Sequence, residues 1–299
     1  KSYTFKAPIL GGRVVVKIAH PGKSRLDDDI SFESVAADFL DDHGYPVQNA
    51  YKSLRGRYFE RSEDGRNVQV LKYFEELRLK SPGSREKIFE SGKMLSRYHK
   101  ITKRFKVENY DFSSDFIERR TFYLRRRLAA LRDNLLTYQY IPLDHLEKSG
   151  LAIAAPFLLS EHQKINRLLN KRRTNLLPKY LIHGDYNAGN LIFIGSQVSG
   201  VIDLEHCSFG PIYWDIGFAI AHWSFLLNRY GVERITKVFT DGYMQDNGRL
   251  SLILVRAFRS FSALWRLSDA IRYYDKYTNK DHWENEVKYY IKKCEMLKI

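Results

Sequence analysis

Two aspartates between residues 180 and 215 each stand at the end of a short apolar run. Asp185 follows the sequence LIHG (181–184), and Asp203 follows the sequence VI (201–202). An ionised carboxyl group at the end of a buried strand is costly unless it is paired, hydrogen-bonded or bound to a metal. The two acids therefore predict a polar site built at strand ends.

The chain between these aspartates predicts a β-hairpin. The apolar runs Leu191–Ile194 and Val198–Ile202 are separated by a Gly-Ser turn, the pattern of two strands joined tightly. A hairpin would bring Asn190, before the first strand, next to Asp203, after the second, with Asp185 just upstream. Three oxygen-bearing side chains at one end of a hairpin suit a hard cation such as Mg²⁺.

The composition is that of a globular protein. The chain has 299 residues, of which 44% are hydrophobic and 14% aromatic, enough for one large domain or two lobes. It shows no apolar run of membrane-spanning length and no secretory leader, so we expect a cytoplasmic protein without membrane association. Cys207 and Cys294 are too few for a disulfide framework or a cysteine metal site.

The formal net charge of +14 raises the alternative of a nucleic-acid-binding protein. Most basic clusters, however, lie in segments that also show helical apolar periodicity. The clusters are 119–120, 125–127, 171–173 and 292–293. We interpret them as solvated helix faces and expect no nucleic-acid partner.

The first 75 residues predict a small, mostly antiparallel sheet with one helix. Strands are predicted in a hairpin over residues 1–18 that turns at Gly11-Gly12, and then near 47–51, 58–59 and 68–74. A loop is predicted over 20–29 and a helix over 30–42. The polar stretch 75–84, with Pro82-Gly83, marks the boundary of this unit.

The rest of the chain, apart from the hairpin stretch, predicts helices. Apolar residues at helical spacing place them at 85–100, 113–138, 160–176, 214–229, 235–244, 250–274 and 282–297. The segment 113–138 is predicted as a single long helix because its leucines keep to one stripe.

Several motifs together resemble the aminoglycoside phosphotransferase and choline kinase superfamily. The motif HGD (183–185), followed by Asn190 and IDLE (202–205), resembles the Brenner-type motif of that family. The motifs GP (210–211) and DIG (215–217) are similar to the signature that follows, and LSRYH (95–99) resembles a family helix. The resemblance implies an α+β, two-lobed, protein-kinase-like fold. Residues 1–76 would form a nucleotide-binding N-lobe with a small antiparallel sheet, and residues 77–299 a larger helical C-lobe with the catalytic loop and substrate-binding helices.

The resemblance also implies roles for the polar residues of the hairpin stretch. Asp185 would accept or orient the proton of the substrate hydroxyl, and Asn190 and Asp203 would hold Mg²⁺ ions that bridge the phosphates of ATP. Glu205, two residues further on, would point the same way as Asp203 and bind the metal directly or through water. We interpret His183 and Asp215 as supports of the catalytic loop.

In the N-lobe, the resemblance implies that Lys17 contacts the α- and β-phosphates, with Glu33 as its helix partner. Tyr73, Phe74 and Glu75 resemble the hinge that reads adenine through backbone groups. The superfamily has a strand, a loop and a strand before the lysine strand, whereas sixteen residues precede Lys17 here. We therefore expect the cover over the nucleotide to be partly missing or unusually short.

Three classes of function are compatible with these observations. The intact acid set favours an ATP- and Mg²⁺-dependent phosphotransferase acting on a hydroxyl of a small molecule, such as an amino alcohol, an aminoglycoside-like antibiotic, a sugar or a nucleoside. A protein Ser/Thr kinase of the same fold, or a kinase-fold binding protein with impaired catalysis, is the alternative. A nucleic-acid-binding protein is supported by charge alone. The sequence specifies no oligomeric state.

The acceptor would be chosen by the helices after residue 209. These contain all four tryptophans, Trp214, Trp223, Trp265 and Trp283. We interpret the aromatic residues chiefly as packing between helices, with a cage for a quaternary amine as the alternative. Acids that would attract a polycation are sparse in this region.

Overall fold

A four-stranded antiparallel sheet and one helix form the N-terminal part of the protein, and helices dominate the rest. The computed structural model describes residues 2–19, 27–75, 84–172, 174–247 and 249–299. The strands are β1 (Ser2–Ile9), β2 (Gly12–Ala19), β3 (Glu60–Arg61), β4 (Asn67–Lys72), β5 (Tyr180–Ile182), β6 (Leu191–Ile194), β7 (Gln197–Val201) and β8 (Ser208–Gly210). The first five helices are α1 (Asp27–Asp42), α2 (Arg85–Thr102), α3 (Ser114–Arg119), α4 (Leu124–Leu136) and α5 (Leu143–Ser149). The others are α6 (Leu151–Lys171), α7 (Ile212–Leu226), α8 (Val232–Asn247), α9 (Leu252–Arg272) and α10 (Lys280–Leu297).

The N-terminal sheet has the strand order β1-β2-β4-β3. The predicted hairpin is present, and Gly11 adopts a φ of 87° in its turn, a conformation that glycine reaches without steric cost. In register, Lys17 of β2 lies between Thr4 of β1 and Gln69 of β4. The predicted lobe boundary after residue 76 lies outside the described residues.

Three details of the N-terminal prediction are wrong. The strand predicted at 58–59 lies at Glu60–Arg61. The helix α1 begins at Asp27 and not at residue 30, because three aspartates form its first turn, where carboxylates complement the positive end of the helix dipole. The segment 47–51 forms bridges instead of a regular strand. Val47 pairs with Val201 of β7 and Ala50 with Leu71 of β4, so this segment joins the sheet to the C-terminal hairpin.

The predicted long helix 113–138 is also wrong, because it is broken between α3 and α4. The backbone there pairs with β8: Phe122 N donates to Phe209 O at 2.6 Å, and Phe209 N donates to Arg120 O at 2.7 Å. A backbone that forms this non-local bridge cannot also continue a helix. The ring of Phe122, buried at the break, packs 4.8 Å from the ring of Trp214.

The helix predicted at 160–176 begins much earlier, at Leu151, and is preceded by the separate helix α5. The two helices meet at Gly150, which has a φ of 73°. Pro156 lies inside α6, where it removes one backbone donor without ending the helix. The other predicted helices of the C-terminal part are present with small shifts of their ends.

The aromatic residues of the C-terminal part are mainly packing residues, as interpreted from the sequence. Trp223 and Trp283 are fully buried, and Trp214 nearly so. The side chain of Trp283 donates its Nε1 hydrogen to Ala270 O at 2.8 Å, which anchors α10 on α9. None of the described helices has both the length and the hydropathy needed to span a membrane.

The helices α2 and α8 approach each other through two glycines. A Cβ atom on Gly92 would lie 2.1 Å from Phe239 O, and one on Gly242 would lie 2.1 Å from Phe89 O. Both oxygen atoms belong to the helix backbone, so neither can rotate away from an added Cβ atom as a side chain could. The reciprocal arrangement fixes the distance between the two helices.

We expect Gly92→Ala to lower the free energy of unfolding by about 1–2 kcal/mol. Because the overlap falls on backbone atoms, it costs about 2–3 kcal/mol, the upper part of the range for overpacking, offset by about 1 kcal/mol from the better helix propensity of alanine. Urea unfolding measures the change. Gly12→Ala is the matched control, because a Cβ atom at that position would have no neighbour within 4 Å; equal stability of the two variants would contradict the close approach.

Candidate active site

A buried carboxylate holds the loop that follows β5. Asp215, in the first turn of α7, has no solvent exposure. Its Oδ2 accepts from His183 N at 2.8 Å and lies 3.0 Å from His99 Nε2, and its Oδ1 accepts from Gly184 N at 2.8 Å. Hydrogen bonds of this kind offset the cost of burying the charge. The structure thus agrees with the interpretation of Asp215 as a support of the catalytic loop.

Gly184 is required by the path of this loop. Its φ is 81°, and a Cβ atom would lie 2.0 Å from His206 O. Its carbonyl oxygen accepts from Trp214 Nε1 at 3.0 Å. The helix α7 therefore binds the loop on one side, and the chain after β7 contacts it on the other. These contacts fix the position of the next residue, Asp185.

The side chain of His183 joins the two acid-bearing segments. It is fully buried, and its Nε2 lies 3.1 Å from Ile202 O, while Asp185 N donates to its Nδ1 at 3.4 Å. These contacts fit the tautomer with hydrogen on Nε2. His183 therefore supports the loop, as interpreted from the sequence.

Both carboxylate oxygens of Asp185 have partners. Oδ1 accepts from Arg266 Nη2 at 2.8 Å, and Oδ2 accepts from Asn190 Nδ2 at 3.1 Å. The same Nδ2 also donates to the backbone oxygen of Asp185 at 2.9 Å. Asp185 is thus fixed in orientation, with its side chain 18% exposed.

The hairpin brings Asn190 next to the strand end that carries Asp203, as predicted. Leu191 pairs with Val201, and Ile202 N donates to Asn190 O at 3.0 Å. Asp203 has φ 66° and ψ 65°, and it is the one non-glycine residue with positive φ in the part of the chain that the structure describes. Such a backbone costs of order 1 kcal/mol or more and persists where the surroundings enforce it.

Lys17 reaches across from β2 to the two acids after β7. Its Nζ lies 3.5 Å from Asp203 Oδ1 and 3.3 Å from Glu205 Oε2. Glu33 of α1 lines the same cleft, and its Oε1 lies 3.7 Å from Arg120 Nη2. The pairing of Lys17 with Glu33 stays a prediction.

The cleft around Lys17 has a volume of about 240 Å³ and is lined by both parts of the protein. Its charged lining comprises Lys17, Glu33, Asp203 and Glu205, and its apolar lining is Val15, Ala37, Ala50, Leu71, Ile202 and Leu204. A cleft that offers both apolar and charged side chains suits a nucleotide, whose base is flat and whose phosphates are anionic.

The predicted hinge residues lie at the end of β4, outside the described lining of this cleft. Tyr73 accepts from Lys6 Nζ through its hydroxyl at 3.1 Å. Phe74 packs against β7, where a Cβ atom on Gly200 would lie 2.8 Å from its ring. The role of Tyr73, Phe74 and Glu75 in binding adenine stays a prediction.

The donor set at the end of the hairpin fits a hard cation. Asp203 and Glu205 share the ammonium group of Lys17, so a positive charge is already stabilised between them. Asn190 uses its Nδ2 on Asp185, which leaves its Oδ1 as a further oxygen ligand. Among the described residues no three His, Cys, Asp or Glu side chains form a metal cluster, so the amide of Asn190 is needed to complete a set of three.

A second cavity, of about 330 Å³, opens on Asp185. Aromatic rings and charged side chains line it, from the loop after β5, the break before α4, the helices α4, α7 and α9, and the residue that follows α9. The aromatic residues are Phe122, Trp214, Phe218, Trp265 and Tyr273, and the charged ones are Asp185, Arg127, Arg266, Asp269 and Arg272. Sequence reasoning missed Arg266, although the polar residues at positions 259, 262, 266 and 269 recur at helical spacing in α9 and were a usable signal.

The two-lobed, kinase-like fold and the matching family model define a phosphotransferase. The model of the phosphotransferase enzyme family (APH) matches residues 3–247, and the chain belongs to this family. The α+β, protein-kinase-like fold expected from the sequence is thereby confirmed.

Two solved structures share the fold over nearly the whole chain. The amicoumacin kinase hAmiN, in complex with AMP-PNP, Ca²⁺ and Ami, has a TM-score of 0.70 and 18% identity over 99% of this chain and 85% of that one. A microcompartment-associated aminopropanol kinase has a TM-score of 0.71 and 13% identity over 99% and 88%. A homoserine kinase of Neisseria meningitidis serogroup B (strain ATCC BAA-335 / MC58) is 33% identical over 69 residues, which are 23% of this chain and 23% of that relative.

His222 of α7 predicts a pH dependence of stability. Burial lowers its pKa from 6.5 to about 4, Arg266 acts in the same direction, and Asp185 opposes them. The folded protein keeps this imidazole neutral, whereas the unfolded chain binds a proton near pH 6.5. The free energy of unfolding therefore falls as the pH drops from about 6.5 towards about 4.

We expect His222→Gln to reduce the loss of stability between pH 7 and pH 5 by about 2 kcal/mol, the linkage of a pKa shift of this size. Urea unfolding at the two pH values measures it. His282→Gln, at a side chain 70% exposed, is the control. A pH slope identical in all three proteins would show that His222 does not titrate as inferred.

Proposed function

We propose that the protein transfers the γ-phosphate of ATP, with Mg²⁺, to a hydroxyl group of a small molecule. The observation that carries the proposal is the position of Asp185 in the acceptor-side cavity. Asn190 binds it and links it to the strand end whose Asp203 lines the other cleft. A proton acceptor and a phosphate-side acid are thus held as one unit between two cavities.

In the proposed reaction the acceptor oxygen attacks the γ-phosphorus. Its bond to phosphorus forms as the bond from phosphorus to the bridging oxygen of ADP breaks, and the hydroxyl proton passes to Asp185. Arg266 and Asn190 hold the carboxylate of Asp185 in one orientation, each with one oxygen, so little motion is needed to align it.

The other cleft supplies charge neutralisation. Lys17 would contact the phosphates, and Asn190, Asp203 and Glu205 would hold Mg²⁺. When bound, Mg²⁺ neutralises the charge of the phosphates during transfer. The present contacts of Lys17 with both acids would be exchanged for phosphate contacts, a change of modest cost because these ion pairs are partly exposed.

The similar proteins support a nucleotide and a small-molecule acceptor. The structure of the amicoumacin kinase contains AMP-PNP and Ca²⁺. The aminopropanol kinase and the homoserine kinase are named after small alcohols. The complete set of Asp185, Asn190 and Asp203 favours catalysis over a binding protein with impaired catalysis. The absence of a nucleic-acid partner stays a prediction.

We expect Asp185→Asn to lower kcat by about 10²–10⁴-fold, the range for loss of general acid–base catalysis. The amide keeps the shape and cannot accept the proton. A coupled assay of ADP release over amino alcohols, aminoglycosides, sugars and nucleosides measures the rate, and calorimetry measures ATP affinity, which should be retained. Asp241→Asn, at an exposed acid paired with Lys237, is the control; turnover within tenfold of wild type would refute the role of Asp185.

We expect Asp203→Asn to remove the part of the ATP affinity that depends on Mg²⁺, by about tenfold or more, because a metal ligand loses its charge. Calorimetric titration of ATP with and without Mg²⁺ gives the two affinities. Asp281→Asn, in the first turn of α10, is the control. A Mg²⁺ dependence equal to that of wild type would mean that the metal is held elsewhere.

A further inference from the structure

We infer that the acceptor carries a carboxylate, which the arginines of the second cavity bind while its hydroxyl faces Asp185. This inference rests on the proposed function and assigns the chemical class of its acceptor. Three arginines and two acids line the cavity, so its formal charge is 3 − 2 = +1. A monoanion would neutralise this lining.

Arg266 already forms an ion pair with the carboxylate of Asp185. Its Nη2 donates to Asp185 Oδ1 at 2.8 Å, and its guanidinium lies 4.8 Å from the centre of the Phe218 ring. This arginine therefore neutralises Asp185, and the remaining positive charge of the cavity belongs to Arg127 and Arg272.

Arg127 is held between aromatic rings. Its guanidinium lies 5.0 Å from the ring centre of Trp265 and 5.3 Å from that of Phe122. Within the described ranges, it has no carboxylate within 4.0 Å. Desolvation lowers the pKa of Arg127, against the opposing effect of Asp269. The residue is exposed, and its guanidinium lies over two rings without an ion-pair partner in the described ranges, so it can bind an oxyanion that offers two parallel acceptors.

Arg272 and Asp269 complete the charged wall. Arg272, at the last turn of α9, is three residues from Asp269 and six from Arg266, so all three project from one side of that helix. Burial raises the pKa of Asp269, although Arg266, Arg272 and Arg127 all act to lower it. Even with Asp269 ionised, the arginines outnumber the acids.

The rest of the lining limits the size and character of the acceptor. Trp214, Trp265 and Phe218 provide apolar walls beside Asp185. A compact carbon skeleton with a hydroxyl at one end and a carboxylate at the other fits such a cavity. A polycationic acceptor would instead meet like charges, which disfavours binding.

Matched acid and amide acceptors test the inference directly. The panel is 4-hydroxybutyrate, L-homoserine and 3-hydroxy-3-phenylpropanoate, each beside its primary amide, with kanamycin as a cationic acceptor. ADP release gives kcat/KM, and calorimetry gives the affinity in the presence of Mg²⁺ and a non-hydrolysable ATP analogue. We expect at least one acid to exceed its amide about tenfold or more in both measurements.

The arginine variants identify the groups responsible. Arg127→Gln and Arg272→Gln should each lower the acid-to-amide ratio by about tenfold, since each removes a charged hydrogen-bond donor. Arg132→Gln is the matched control, because it lies on α4 one turn and a half after Arg127, with a side chain 59% exposed and paired with Asp133. Its ratio should equal that of wild type.

Two results would overturn the inference. One is binding or turnover of the amides or of kanamycin equal to that of the acids, with ratios unmoved by the arginine variants. The other is the absence of binding by every acid. Slow ATP hydrolysis without acceptor, compared between wild type and Asp185→Asn, distinguishes these results from a failure of the proposed function: Asp185-dependent hydrolysis would show that phosphoryl transfer stands while the acceptor class is wrong.

Discussion

The carboxylate of Asp215 is the interaction on which the site depends. It is fully buried and gathers two backbone N–H groups of the catalytic loop and the side chain of His99 from α2. His99 in turn contacts the hydroxyl of Tyr243 from α8 through Nδ1 at 2.9 Å. One charge thus connects the loop to α2, α7 and α8. An unpaired carboxylate at this depth would be strongly unfavourable, so the loop has one low-energy position.

A second level of positioning builds on that loop. His183 bonds the carbonyl of Ile202, and Asn190 bonds both the backbone and the side chain of Asp185. The left-handed backbone of Asp203 follows directly after these contacts. A strained backbone of this kind is maintained only where contacts with neighbouring residues enforce its conformation. Asp185 and Asp203 are therefore positioned by a single hydrogen-bond network, which under the proposed function would keep their separation constant during turnover.

The parts that the sequence predicted well are those governed by local rules. The β6–β7 hairpin follows from two apolar runs and a tight turn, and its register necessarily places Asn190 beside Asp203. The glycine turn between β1 and β2 has the same origin. The supporting roles of His183 and Asp215 could be anticipated because a polar residue inside an apolar stretch must find a partner.

The errors arise where distant residues override a local pattern. The leucine stripe of 113–138 predicts one helix, yet the backbone of residues 120–122 pairs with β8, some ninety positions further along. The predicted start of α1 is three residues too late, because three consecutive aspartates are typical of a loop and here form the first helical turn. Arg266 could not be placed beside Asp185 from local sequence, since the two residues are 81 positions apart.

The arrangement separates the chemistry from the choice of acceptor. The groups proposed for phosphoryl transfer in the C-terminal part lie within residues 185–205, whereas the arginines of the acceptor cavity come from α4 and α9, on either side of that stretch. Arg266 is the exception, because it lines the acceptor cavity and also touches Asp185. A substitution at Arg127 or Arg272 can therefore alter the charge of the acceptor cavity without touching Asp185, whereas a change at Arg266 alters both functions together. Under the proposed function, the wall formed by α4 and the end of α9 can vary with the acceptor, whereas Arg266 cannot change without altering the surroundings of Asp185.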